Sequence, residues 1–279
     1  METKSLNILL PTDFSDNAWN TIVYALKLYK DQPCHFFFLH ATKIRLKNSA
    51  ISSSKLSDVI KETAAKEMQS LKVLVEASTT CKHHKFMSII SSSDIKDAIE
   101  VAVIKHNIDI VVLGTKGATG AKKLFFGSNT VAIIKKMRLC PILVVPDDYD
   151  FVVPKQIAFP TDFIRQYNHV QLQPIIALAA LYNSKIRIVH INKEKELSHL
   201  QEANLELLKG CLKPTEFSFH WMPDYIKLTE EINVFIEELK IDMLVMLNYK
   251  HSFIQDIVNE PVVENIGFNP KIPFLVVPV

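Results

Sequence analysis

Asn7-Ile8-Leu9-Leu10-Pro11-Thr12-Asp13-Phe14 returns in the second half of the chain as Gln156-Ile157-Ala158-Phe159-Pro160-Thr161-Asp162-Phe163. Phe36-Phe37-Phe38-Leu39-His40 returns as Ile186-Arg187-Ile188-Val189-His190, and Ile108-Asp109-Ile110-Val111 as Ile241-Asp242-Met243-Leu244. Cys140-Pro141-Ile142-Leu143-Val144-Val145-Pro146 returns as Ile272-Pro273-Phe274-Leu275-Val276-Val277-Pro278. The order is the same in both halves, which marks a tandem repeat of one structural unit. The acidic stretch Asp147-Asp148-Tyr149-Asp150 separates the copies, so the expected domains are 1–147 and 148–279, each of ordinary size.

Each echoed run is short, apolar and rich in β-branched or aromatic residues, without strict alternation. Such runs suit strands buried on both faces of a parallel sheet. Helix-period stretches lie between them. Asp16 to Leu28 puts Ala18, Ile22, Ala25 and Leu26 on one stripe, with Asp16 as the expected cap. Asp94 caps a second helix running to Lys105, and further helices are expected over Leu56–Val75, Thr130–Met137, Val170–Leu181 and Leu228–Leu239. Thr42 to Ser54 reads as a basic surface loop. Lys195 to Leu208 reads as a helix facing the core with Leu197, Leu200, Leu205 and Leu208. The fold class is therefore α/β, with two tandem doubly wound parallel five-stranded sheets and right-handed crossovers.

Composition narrows the function. Of 279 residues, 48% are hydrophobic, and Lys+Arg 32 against Asp+Glu 30 leaves a net charge of +2. So even a balance supplies no global field for nucleic acid or an anionic membrane. The apolar run Leu6–Leu10 is too short for a membrane span or a signal h-region. Cys34, Cys81, Cys140 and Cys211 are scattered and form no C-x-x-C, so they read as buried thiols in a reduced, cytoplasmic protein.

Chemistry concentrates in one loop. The chain has 6 glycines, and Gly114, Gly117, Gly120 and Gly127 cluster in a single stretch. That stretch leaves the carboxyl end of an expected strand and ends at the start of an expected helix. In open parallel sheets ligands sit at this edge. Glycines let backbone N–H groups approach an anion, and a helix N-terminus adds free donors and a positive dipole end. Ser128 is placed to cap the helix or meet a phosphate, and Lys116, Lys122 and Lys123 add charge. The spacing is G-x2-G-x9-G-S, which is neither a P-loop nor the dinucleotide fingerprint.

That spacing, together with Pro11-Thr12-Asp13 at the first strand end, resembles the nucleotide-binding universal stress proteins, whose fold is of the adenine nucleotide alpha hydrolase-like type. The resemblance runs once through each half. It implies an adenine nucleotide, ATP or its AMP and ADP relatives, accompanied by Mg²⁺. Carried over, Gly114, Thr115, Gly117, Lys122, Gly127, Ser128, Asn129 and Thr130 match the phosphate and ribose loop. Asp13 matches the acidic residue near the nucleoside, and Ala41 the position whose backbone meets the adenine edge, where valine is more usual. In the family the last strand often pairs across a dimer axis, which implies pairing of the two copies within this chain and a homodimer beyond it.

The second copy keeps Pro160-Thr161-Asp162 but not the loop. In the sequence Asn248 and His251 align with Gly114 and Gly117, and Asn259-Glu260 with Gly127-Ser128. Added bulk and a negative charge argue that only the first copy holds nucleotide. Cys81-Lys82-His83-His84 lacks a second ligand cluster and carries no metal reading. His40 and His190, at equivalent strand ends, read as a shared structural bond to a neighbouring loop. Trp19 and Trp221 read as core. The expectation is an ATP-binding, stress-responsive binding module with an unidentified protein partner; the alternatives are a slow ATPase and a ligand-free structural or chaperone-like protein.

Overall fold

The computed structural model describes residues 5–42, 50–79, 81, 83–115, 127–192, 196–223, 228–249 and 271–279. The chain divides into two compact units, Met1–Asp150 and Phe151–Val279, called domain 1 and domain 2 here. No helix among the described residues is long and apolar enough to cross a membrane.

Domain 1 holds strands β1 (Leu6–Pro11), β2 (Cys34–Ala41), β3 (Lys85–Ser91), β4 (Ile110–Gly114) and β5 (Ile142–Val145). They lie in the order β3-β2-β1-β4-β5, and the paired strands are parallel. Domain 2 repeats this with β6 (Gln156–Pro160), β7 (Lys185–Asn192), β8 (Glu216–Pro223), β9 (Met243–Asn248) and β10 (Phe274–Pro278), in the order β8-β7-β6-β9-β10. The doubly wound five-stranded architecture expected from the repeated runs is the one observed. Strands β1 and β2 have helices over both faces. Ile8, Leu9, Leu10, Phe36 and Phe38 are all wholly buried, each contributing about 1.5–3 kcal/mol of burial.

The Ile-Asp echo has a physical purpose. Asp109 accepts from the Asn7 N–H at 2.8 Å while its own N–H donates to the Asn7 carbonyl, clamping the start of β4 to β1. Asp242 does the same in domain 2, accepting from the N–H groups of Lys155 and Gln156, each at 2.8 Å, and donating to the Gln156 carbonyl.

The helices of domain 1 are α1 (Asp16–Leu28), α2 (Ala50–Ser78), α3 (Ile95–Lys105) and α4 (Ser128–Lys136); those of domain 2 are α5 (His169–Tyr182), α6 (His199–Leu212) and α7 (Leu228–Glu238). Asp94 caps α3 as expected, through its bond from the Lys96 N–H. Other expectations need correction. Ser15, not Asp16, caps α1, because its side chain accepts from the Ala18 N–H. Ala50–Ser54, expected in a loop, already belongs to α2. Helix α6 turns Gln201, Asn204, Leu208, Cys211 and Leu212 inward, while Leu200 is 61% exposed. Its buried stripe includes two polar residues, which a search for leucines misses. Trp221 is 46% exposed at the edge strand β8, and Trp19 is half-buried.

Candidate functional site

In domain 1 the chain leaves β1 into α1 and leaves β4 into α4, and β1 and β4 are neighbours from which the sheet order runs outward in both directions. The carboxyl ends of these two strands therefore flank the topological switch point, where open α/β sheets form a crevice. On the β1 side lie Pro11, Thr12 and Asp13. Asp13 is exposed, and its carboxylate accepts from the Ser15 hydroxyl at 2.6 Å and the Ser15 N–H at 3.1 Å. Thr12 is buried, and its hydroxyl accepts from the Phe14 N–H at 3.0 Å. Phe14 has φ of 62°, a left-handed conformation that costs a side-chain-bearing residue about 1–2 kcal/mol. The turn is held from β2: His40 donates from Nδ1 to the Thr12 carbonyl at 2.8 Å, and its ring packs on Phe14 at 4.5 Å. Ala41, half-buried, follows at the end of β2.

On the β4 side Gly114 must be bare. A Cβ there would lie 2.6 Å from Nδ2 of Asn17 and 3.0 Å from Oγ1 of Thr21, both on α1. The start of α4 is stitched to the end of β4: the Gly127 N–H donates to the Thr115 carbonyl, and the Thr130 hydroxyl donates to the Gly114 carbonyl at 2.9 Å. Thr115 accepts at its hydroxyl from the Asp147 N–H at 3.1 Å. The hydroxyls of Thr12, Thr115 and Thr130 thus shape the crevice walls. Helix α4 begins at Ser128, two residues before the expected Thr130, and its N-cap is Gly127, which has no side chain to bond the first turn. The reading of Ser128 as the cap is corrected accordingly. Its N–H and those of Asn129 and Thr130 precede the first helical bond, which Val131 makes to Gly127. Lys116, Gly117, Gly120, Lys122 and Lys123 lie outside the described residues, as do His251, Asn259 and Glu260 in domain 2.

Domain 2 builds the same first wall. His190 donates from Nδ1 to the Thr161 carbonyl at 2.8 Å, packs on Phe163 at 4.8 Å, and Phe163 has φ of 57°. The bond expected of the two histidines is the one they make. From there the copies part. The N-cap Ser15 follows Asp13 by two residues, whereas the N-cap Asn168 follows Asp162 by six. The added residues include Arg165 and Tyr167. Tyr167 is 4% exposed and bonded to the Thr161 hydroxyl. The Tyr249 hydroxyl reaches Asp162, 3.3 Å from each carboxylate oxygen, and Arg165 lies 4.6 Å from the Tyr249 ring centre. Burial, followed by the Asp162 charge, pushes the Tyr249 phenol above its ordinary range, so it acts as donor.

The ladder also corrects an alignment. Gly114 pairs with Val145, and Leu247 pairs with Val277 at the same step of the repeat. The residue matching Gly114 is therefore Leu247, not Asn248. Sequence reasoning missed Gln201 and Asn204 as well. Their amides donate to the carbonyls of Asp162, at 2.9 Å, and of Phe163 and Ile164, at 2.9 and 3.2 Å, fastening the lengthened turn. Inward-facing amides on α6 were the available signal.

Elsewhere, among the described residues no group of three His, Cys, Asp or Glu is placed to hold a metal. His84 is buried, and neither ring nitrogen has a hydrogen-bond partner. Ser218 Oγ lies 2.8 Å from His220 Nε2, but Arg187 donates to the same hydroxyl at 2.7 Å. Burial and then Arg187 hold His220 below its ordinary range, which weakens it as a base.

Comparison with known proteins agrees with this geometry. A universal stress protein of Methanocaldococcus jannaschii is 26% identical over 141 residues, covering 50% of this chain and 80% of its own length. The structure of a universal stress protein from Archaeoglobus fulgidus superposes with a TM-score of 0.72 at 16% identity, over 99% of this chain and 97% of that one. A Pseudomonas aeruginosa protein described as functionally unknown gives 0.58 at 14% identity, over 99% and 93%. These two structures share the two-domain fold. Residues 5–146 match the Universal stress protein family, and the chain belongs to that family.

Proposed function

We propose that domain 1 binds an adenine nucleotide, ATP or its AMP and ADP relatives, in the crevice between β1 and β4, and that domain 2 does not. What supports the reading is the pairing of an exposed Asp13 with a bare Gly114 and a helix start, at Gly127, that lacks a side-chain cap. The donor chemistry suits the ligand. The N–H groups of Ser128, Asn129 and Thr130 would hold phosphate oxygens at the positive end of α4. Asp13 and the Ala41 backbone would meet the nucleoside. Mg²⁺, when bound, would screen phosphate charge; with Asp13 the carboxylate at the β1 side of the crevice, the cation would rely largely on phosphate and water oxygens.

A binding module in a stress response is the reading that family membership and this donor set support together, since the described residues of the crevice offer positioning and charge complementarity. Nucleotide would change the chain's behaviour towards a partner only by binding one of its states better than another.

Calorimetry with ATP and Mg²⁺ tests the proposal. The expected result is one site per chain, weakened about tenfold or more by Asp13→Ala, in line with loss of a hydrogen bond to a charged group, and unaffected by Asp162→Ala. No heat of binding, or two sites per chain, would refute it. Phosphate release above that of buffer, abolished in Asp13→Ala, would favour the ATPase instead.

A further inference from the structure

The amino ends of β2 and β3, at the far edge of the sheet from the crevice, gather two thiols around a buried imidazole. The ladder pairs His35 with Lys85, so one step earlier Cys34 stands beside His84. Alternation along β2 puts Cys34 on the same face as Phe36, and the His84 ring meets that face edge-on, 5.0 Å from the Phe36 ring. His84 is 8% exposed, and neither ring nitrogen has a hydrogen-bond partner, which is unfavourable for a polar group out of water. Cys81 enters from the turn between α2 and β3, where its carbonyl accepts from the His84 N–H at 3.4 Å. Cys34 is wholly buried, but Cys81, expected to be buried, is half-buried, so a small oxidant in solvent meets Cys81 first. Burial, followed by the charges of Cys81 and Asp109, pushes the Cys34 thiol up to about 12. The two sulfurs are near enough to feel each other's charge, and Cys34 keeps its proton until a neighbour takes it.

We propose that Cys81 and Cys34 are a site of reversible oxidation by hydroperoxides, closing to a disulfide with His84 as the acceptor of the Cys34 proton. In the first step the Cys81 sulfur attacks a peroxide oxygen. The O–O bond breaks, an S–O bond forms, and the departing hydroxide leaves as water with the Cys81 proton. In the second step the Cys34 sulfur, its proton passed to the free nitrogen of His84, displaces hydroxide from the Cys81 sulfur. The S–S bond forms as the S–O bond breaks, and the hydroxide leaves with that proton as a second water. Two thiols are oxidised by two electrons and one hydrogen peroxide is reduced to two waters. A thiol reductant reopens the bond, as suits a reducing compartment. The other two cysteines, Cys140 and Cys211, are buried and take no part. The site stands apart from the nucleotide reading, at the opposite ends of the strands.

Hydrogen peroxide added to the unaltered full chain, followed by alkylation of free thiols in denaturant and non-reducing peptide mass spectrometry, tests the proposal. The Cys34 and Cys81 peptides should be recovered joined, Cys140 and Cys211 alkylated, and all four thiols restored by dithiothreitol. In Cys34→Ala, dimedone should trap a sulfenic acid on Cys81 that the parent shows only briefly. In Cys81→Ser, Cys34 should remain a free thiol. His84→Phe, which keeps a ring in place, should leave the oxidation rate of Cys81 unchanged and slow closure of the disulfide about tenfold or more, as loss of a positioned base does. Peroxide that drives Cys81 of the unaltered chain to sulfinic acid with Cys34 still free overturns the proposal. So does a disulfide through Cys140, or one that joins two chains through Cys81. Closure as fast in His84→Phe as in the parent overturns the role given to His84.

Discussion

The crevice between β1 and β4 and the crevice between β6 and β9 start from the same wall and finish with opposite ones. In each, a histidine from the second strand holds a threonine carbonyl at 2.8 Å and a phenylalanine sits in the left-handed region. Opposite that wall, domain 1 has glycine backed tightly against α1, and domain 2 has a buried leucine followed by a tyrosine that reaches across. The difference teaches that the Pro-Thr-Asp turn belongs to the fold, since both copies pay its conformational strain. What differs between the copies is the facing strand and the number of residues that precede the next helix.

That contrast can be broken at several points. The largest effect is expected at the facing strands. Leu247→Ala should cost domain 2 about 3 kcal/mol, as a buried leucine does. Gly114→Ala should cost domain 1 about 1–2 kcal/mol, because its methyl group meets Asn17 at 2.6 Å. Hydrogen exchange in urea, which reads each domain separately, measures both. A Gly114→Ala chain as stable as the parent would mean that glycine is not demanded there by packing.

A smaller effect tests the shared wall. His40→Phe and His190→Phe each keep a ring against the phenylalanine and leave a threonine carbonyl without its donor. Each should cost about 1 kcal/mol, and the two costs should agree within about 0.5 kcal/mol. A cost confined to His40 would mean that the turn is held for a ligand rather than for the fold.

The smallest effect lies at the opposite edge of the sheets. His84 packs edge-on against Phe36 at 5.0 Å, where domain 2 has Thr215 bonded to the Leu212 carbonyl. Burial, and then the neighbouring His83, hold His84 below its ordinary value of 6.5. The unfolded chain therefore takes up this proton more readily than the folded one. The contribution of neutral His84 is complete above pH 6.5 and is lost as the pH falls through that value towards the depressed one. Its slope cannot exceed about 1.4 kcal/mol per pH unit for one proton. Unfolding of domain 1 between pH 7 and pH 5, compared with His84→Phe, should show the acid sensitivity in the parent alone. Parallel pH profiles would remove His84 from the account.

The fold was legible because both copies write the same strands in the same order, and runs such as Ile8 to Leu10 admit few readings besides a doubly covered strand. The first wall of the site was legible in Pro-Thr-Asp and in the recurring histidine. The second wall was not. A one-residue slip put Asn248 in the place of Leu247, although the echo of Ile108-Asp109 in Ile241-Asp242, carried forward without a gap, leads from Gly114 to Leu247 as the ladder does. The residues between Asp162 and Asn168, Phe-Ile-Arg-Gln-Tyr, carry no turn signature that tells where Arg165 and Tyr167 reach; only the structure brings Arg165 to the Tyr249 ring and Tyr167 to the Thr161 hydroxyl. Helix starts slipped by a residue or two at Ser15 and Gly127, because neighbouring Ser, Asp and Gly residues are all acceptable caps. In α6 the leucines suggested a stripe, but the amides of Gln201 and Asn204 had carbonyls to satisfy beneath them.

The stitch between β4 and α4 has one more consequence. Because the Gly127 N–H and the Thr130 hydroxyl tie the two ends together, the eleven positions from Lys116 to Phe126 are bracketed by a neck that the protein closes by itself. Entropy of ring closure grows only as the logarithm of the ring size, by about 0.6 kcal/mol per doubling. A change in length between Thr115 and Gly127 should therefore cost the sheet little stability, so the neck separates what these positions contribute to folding from what they contribute to binding.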